Sequence, residues 1–139
     1  MTMPDINTIQ PGDALPIREF RSDNVQQFLY NAVLWNAHRI HFDHPYATEK
    51  EGYPGLVVAG PLMGDWLTQC VLEWLDDAGE LLSVEYSNRR AAYTGDLLRS
   101  GGQVRSVEPE SRTAVLDVFI KNEAGEAITP GTARVKLSR

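Results

Sequence analysis

The stretch from Pro61 to Gly79 limits the fold of this chain more than any other part. Leu62, Trp66, Cys70 and Trp74 stand four residues apart, and Met63, Leu67, Val71 and Leu75 form a second row beside them. Residues at that spacing share one face of a helix, so two adjacent rows make a wide apolar stripe. Asp65, Gln69, Glu73 and Asp76 take the other side. Pro61 suits the first helical position, where its missing N–H costs nothing, and Gly79 suits the stop. The spacing predicts a helix over 61–77, deeply buried on one side.

From residue 80 the period changes to two. Leu82, Val84 and Tyr86 alternate with polar partners, as do Leu116, Val118 and Ile120, then Ala133, Val135 and Leu137. Gly95-Asp96, Gly101-Gly102, Glu108-Pro109 and Asn122-Glu123-Ala124-Gly125 read as turns. A long amphipathic helix followed by an antiparallel meander is an α+β pattern, and economical packing wraps the sheet around the helix. An earlier helix is expected after the N-cap residues Ser22-Asp23-Asn24, with Val25, Phe28, Leu29 and Ala32 at helical spacing.

The bulk numbers remove whole classes of function. A length of 139 residues suits one domain, 1–139, and 42% hydrophobic residues can fill a real core. A net charge of -6 argues against nucleic acid, whose phosphates demand clustered Lys and Arg. No apolar run approaches the roughly 18 residues of a membrane span, and no basic start followed by an apolar stretch marks a signal peptide. Cys70 is the only cysteine, so no internal disulfide is available and a cytoplasmic, reducing setting is expected.

All three histidines, His38, His41 and His44, fall within Trp35-Asn36-Ala37-His38-Arg39-Ile40-His41-Phe42-Asp43-His44-Pro45. Imidazole is the side chain whose charge changes nearest neutral pH, which makes this segment a candidate for proton transfer. A spacing of three also allows a metal site, but Pro45 indicates a short turn and no second ligand motif accompanies it; metal: none is the expectation. Structural or solvated histidines are the plain alternative, most readily for His44. Gly60, just before a helix, permits a ligand to approach backbone N–H groups at the positive end of the helix dipole. Such donors suit an oxyanion, although a simple cap glycine would look the same.

The run Tyr30 to Asp43, then Tyr46-Ala47, Glu51-Gly52-Tyr53-Pro54-Gly55-Leu56-Val57-Val58 and Gly60-Pro61-Leu62, resembles the MaoC-like hot-dog hydratases. The resemblance is to the branch containing mesaconyl-C4-CoA hydratase and the mitochondrial 3-hydroxyacyl-thioester dehydratase. Arg89-Arg90-Ala91-Ala92-Tyr93-Thr94-Gly95-Asp96 resembles the same branch. It implies a single hot-dog fold and reversible addition of water to a 2-enoyl thioester, carried on CoA or phosphopantetheine, with no further cofactor. The wider family places an Asp and a His five residues apart; here Asn36 and His41 hold those positions. The resemblance thus implies His41 as acid/base, Asn36 orienting water or substrate, His38 as a second proton-transfer group and Gly60 as oxyanion donor.

Substrate contacts are expected from Arg39, Tyr53, Arg90 and Ala59, the last standing where the branch often has His. Arg89, Arg90 and Arg105 have the guanidinium chemistry to meet phosphates, and solvated strand ends are the alternative. Implied partners are a second copy, giving a homodimer or larger hot-dog oligomer, and an acyl carrier protein as the alternative to CoA; no nucleic acid and no membrane are expected. Two other functions fit the same residues: thioester hydrolysis, for which Asp65 is the available carboxylate, and a catalytically weak thioester-binding subunit.

Overall fold

The computed structural model describes residues 3–138. Its elements are β1 (Arg18–Phe20), α1 (Asn24–Val33), α2 (Gly60–Leu75), β2 (Gly79–Tyr86), β3 (Leu98–Glu108), β4 (Thr113–Lys121) and β5 (Ala127–Leu137). A single-turn 3-10 helix over Arg39–His41 and a π-turn over Tyr46–Lys50 lie between α1 and α2. The strands form one antiparallel sheet in the order β1-β3-β4-β5-β2.

The sheet wraps around α2, which meets β2, β3, β4 and β5. Leu62, Met63, Trp66, Leu67, Cys70, Val71, Trp74 and Leu75, both apolar rows of the sequence, are all buried. Inward-facing Leu116, Val118, Ile120, Ala133, Val135 and Leu137 complete that core. Trp66 stacks on Phe20 of β1 with ring centroids 4.5 Å apart, tying the short edge strand to the helix. The helix opens at Gly60, one residue before the expected start, and Asp76 ends it by adopting φ 47°, which right-handed helix cannot continue through.

Two findings differ from the sequence expectation. Gly101 and Gly102 make no turn: they are buried in the middle of β3, paired with Phe119 and Val118 of β4. A Cβ on Gly101 would fall 2.5 Å from the Ile17 side chain, and one on Gly102 would strike the Asp117 carbonyl oxygen. Close approach of neighbouring chain, the other use of glycine in a strand, explains the pair. The second finding is the orientation of α1. The helix forms as expected, with the Asp23 carboxylate accepting the Gln26 N–H at 2.7 Å. Its apolar stripe, however, faces outward: Val25, Phe28, Leu29 and Val33 are 57–78% exposed, while Gln27 and Asn31 are buried.

Candidate active site

The histidine segment is held by its own polar residues. Asn36 donates its backbone N–H to the Asn31 carbonyl at the end of α1, and its side-chain oxygen accepts the His38 N–H at 3.1 Å. That Asx-type bond starts the 3-10 turn on which His41 stands. Asp43 then grips Arg39 through Nε and Nη2 at 3.0 and 2.8 Å, and accepts the Tyr46 N–H that opens the π-turn. The Arg39 guanidinium also lies over the Tyr46 ring, 4.3 Å from its centroid.

His41 is buried, and its Nδ1 lies 2.8 Å from the Val57 carbonyl oxygen. A carbonyl only accepts, so the bond assigns the proton to Nδ1 and leaves a lone pair on Nε2. Burial holds the imidazole pKa below its ordinary value, and the charge of His38 pushes in the same direction against the Val57 bond. The result is a neutral ring at neutral pH with one basic nitrogen. His38 is exposed and meets His41 edge-on, ring centroids 5.6 Å apart. His44 is exposed, directly before Pro45.

Val57 belongs to a short extended segment that runs straight into α2. Val57 N–H donates to the Ile40 carbonyl, Val58 N–H to Ala92 and Thr94 N–H to Leu56, at 3.0, 2.8 and 3.0 Å. Ala59, wholly buried, is the N-cap position and Gly60 the first helical residue. The first N–H groups of a helix have no partner within it and lie at its positive end. Gly60 has no side chain because the Asn88 amide nitrogen packs where a Cβ would stand. His41 and the opening of α2 are therefore joined by one bond and three residues of chain.

Between the end of α1 and the histidine turn lies an apolar cavity of about 320 Å³, lined by Phe28, Asn31, Ala32, Trp35, Asn36 and Phe42 among others, and reached by neither His41 nor Gly60. Asn36 thus sits between the histidine turn and a cleft suited to an apolar chain. The other expected contacts are more scattered. Tyr53 packs half-buried against Tyr93 over a small cluster of Ile40, Ala47, Leu56 and Val57. Arg90 is exposed and paired with Glu126 at 3.0 Å, with no bond to the histidine turn. Among the described residues, no three His, Cys, Asp or Glu side chains converge as metal ligands would.

Sequence reasoning passed over Gln27 and Asn31. Both are buried, and both stand on the α1 face that hydropathy assigns to solvent. Their one signal was spacing, two amides four residues apart immediately before the histidine run.

The arrangement of one antiparallel sheet around a central helix is the hot-dog fold. It matches a solved MaoC-like dehydratase with a TM-score of 0.89 and 25% identity, over 98% of this chain and 43% of that one. The ChsH1-ChsH2 complex from Mycobacterium tuberculosis has the same fold, with a TM-score of 0.81 and 16% identity over 92% of this chain and 98% of that one. The family described as hydroxyacyl-thioester dehydratase type 2 matches residues 4–94. The chain belongs to that family. Mesaconyl-C(4)-CoA hydratase of Chloroflexus aurantiacus is 64% identical over 36 residues, which are 26% of this chain and 13% of that protein. The matched stretch therefore spans about an eighth of that curated relative, and the chain spans under half of the MaoC-like dehydratase.

Proposed function

We propose that the protein is an acyl-thioester hydratase/dehydratase, adding water reversibly to a 2-enoyl thioester. One observation carries the reading: the Val57 carbonyl locks the His41 tautomer and leaves a basic Nε2, and the chain from that carbonyl opens α2 at Gly60 three residues on. Nε2 takes a proton from water as the water oxygen bonds to C3. The C2=C3 electron pair moves onto the thioester carbonyl, whose oxyanion the Gly60 N–H and the helix dipole stabilise. The proton then passes from His41 to C2, and dehydration is the reverse. Asn36 has its oxygen committed to His38 N–H, so its amide NH₂ is the group free to orient water or substrate. His38, exposed at the rim, relays protons to solvent, and the apolar cavity takes the acyl chain.

Substrate arrives on CoA or a phosphopantetheine arm, with no further cofactor; the net charge of -6 favours CoA over an acidic carrier protein. Arg39, Tyr53 and Arg90 remain the proposed substrate contacts, whereas Ala59, wholly buried and with its N–H bonded to Gln27, has no surface to offer one. The working unit is a homodimer or larger hot-dog oligomer. The free edge of β2 and the outward apolar stripe of α1 support it, since exposed strand edges and apolar patches call for a partner. No helix among the described residues is long and apolar enough to cross a membrane. The lone, buried Cys70 supports a reducing compartment, the cytoplasm.

The test is hydration of crotonyl-CoA, read as loss of enoyl absorbance without thiol release. His41→Ala lowers kcat by about 10²–10⁴-fold, the usual worth of a general base. Thiol appearing at a comparable rate would make the chain a thioesterase. Unchanged turnover in His41→Ala would move the chemistry elsewhere, and thioester binding without turnover in the parent would leave a binding subunit.

A further inference from the structure

Gln27 is the most completely buried polar side chain of α1, with no exposed surface. Its Nε2 donates to the Val57 carbonyl, and its Oε1 accepts the Ala59 N–H at 3.2 Å. In extended chain, the C=O of one residue and the N–H of the residue two further on point to the same side. A primary amide matches that pair in the way a neighbouring strand would. The opposite edge of the segment is already paired, through Val58 N–H to Ala92. Gln27 thus acts as a one-residue strand, closing the free edge of the link between His41 and α2.

The choice of acceptor matters more than the burial. The carbonyl that Gln27 holds is the same Val57 oxygen that fixes the His41 tautomer. The N–H that Gln27 accepts belongs to the N-cap residue directly before Gly60. One side chain therefore bonds the immediate neighbour of each group whose spacing the reaction depends on, the carbonyl that holds His41 and the N–H one residue before Gly60. Leu at this site would leave the Val57 lone pair and the Ala59 N–H without those partners, a cost that a filler residue would not explain.

We infer that Gln27 is a positioning residue for the acid–base step: its amide sets the register between the His41 base and the Gly60 N–H donor, and keeps His41 in the Nδ1–H tautomer. This rests on the hydratase reading for its consequence in turnover, but the tautomer lock stands apart from it. The groups facing His41 are few. His38 is its titratable neighbour; α1 buries the amides Gln27 and Asn31 and turns the half-buried Tyr30 onto the core, where its hydroxyl donates to Asp65 at 2.7 Å; and Leu56–Ala59 is apolar.

The experiment uses the whole chain with Gln27→Met, which keeps the volume and removes both hydrogen-bonding atoms, and Gln27→Glu, which keeps the shape but sets a carboxylate against the Val57 carbonyl. Long-range ¹H–¹⁵N spectra of the imidazoles, with His41→Ala assigning the peaks, read the tautomer without any turnover. The expected result in Gln27→Met is a mixture of tautomers at His41 and a kcat lowered by about 10²-fold, the scale of a misplacement near 1 Å, with KM changed far less. In Gln27→Glu the His41 titration moves to higher pH, because a nearby carboxylate favours the imidazolium.

A folded Gln27→Met that keeps the pure Nδ1–H pattern overturns the inference. So does loss of folding in both variants, which would make Gln27 a folding residue only. If the parent chain does not hydrate crotonyl-CoA but Gln27→Met still mixes the tautomers, the hydratase reading fails and the positioning role stands.

Discussion

The two α-helices carry the same kind of sequence pattern and put it to opposite use. α2 buries its apolar rows: Leu67 and Val71 have no exposed surface. α1 has an apolar stripe at the same spacing, yet Phe28 and Leu29 are each 57% exposed, and Trp35 just beyond is 93% exposed. Its inward face presents Gln27 and Asn31 to the segment that carries the site. A stripe identifies a helix and the side that is driven from water. It does not say whether the cover comes from the same chain, and here a sheet covers one stripe while the other stays exposed.

The contrast breaks most sharply at Leu67. Leu67→Ala leaves a hole where α2 meets the sheet and costs about 2–5 kcal/mol in urea unfolding, the range for large-to-small core changes. A loss under about 1 kcal/mol would mean that the α2 core is loosely packed.

A smaller effect comes from the buried ring on the α1 side. The fold holds His41 neutral below its ordinary pKa of 6.5, so the unfolded chain takes up the proton first as the pH drops. Stability linked to His41 is present above 6.5 and declines below it toward the folded-state pKa. Urea midpoints should fall with acid more in the parent than in His41→Asn, and the acid limb of kcat/KM should lie below 6.5. Equal slopes in the two proteins would remove the burial of His41 from the argument.

The smallest effect is expected at Phe28. Phe28→Ser changes the unfolding free energy of the dilute chain by no more than about 0.5 kcal/mol, as surface substitutions do. The same change should lower the association state seen by light scattering. A cost as large as that of Leu67→Ala, and one that depended on protein concentration, would place the α1 stripe in an obligate interface.

Much of this is legible in the sequence alone. The double apolar row of α2 and the alternating strands β4 and β5 announce themselves, because both patterns repeat often enough to exclude other periods. The histidine run was legible as chemistry for a different reason, the concentration of one residue type in one segment. β3 was not, since Gly101 and Gly102 carry a turn signal and no side chain to alternate. β1 is only Arg18–Phe20, too short for any period to establish itself. Gln27 was hidden because a buried amide has no hydropathy signature. It is recognised only by what it bonds, and its partners lie 30 and 32 residues away.

The sequence by itself determined the α+β order, the central helix, the histidine segment and the glycine that opens α2. All of these depend on spacing along the chain or on the φ/ψ and donor properties of single residues. Only the tertiary structure decided that His41 is the buried histidine, that its Nδ1 and the Gln27 amide meet at one carbonyl, and that the α1 stripe faces out. Those facts come from hydrogen bonds between segments and from which surface the sheet is able to cover. Neither has a period along the chain to read.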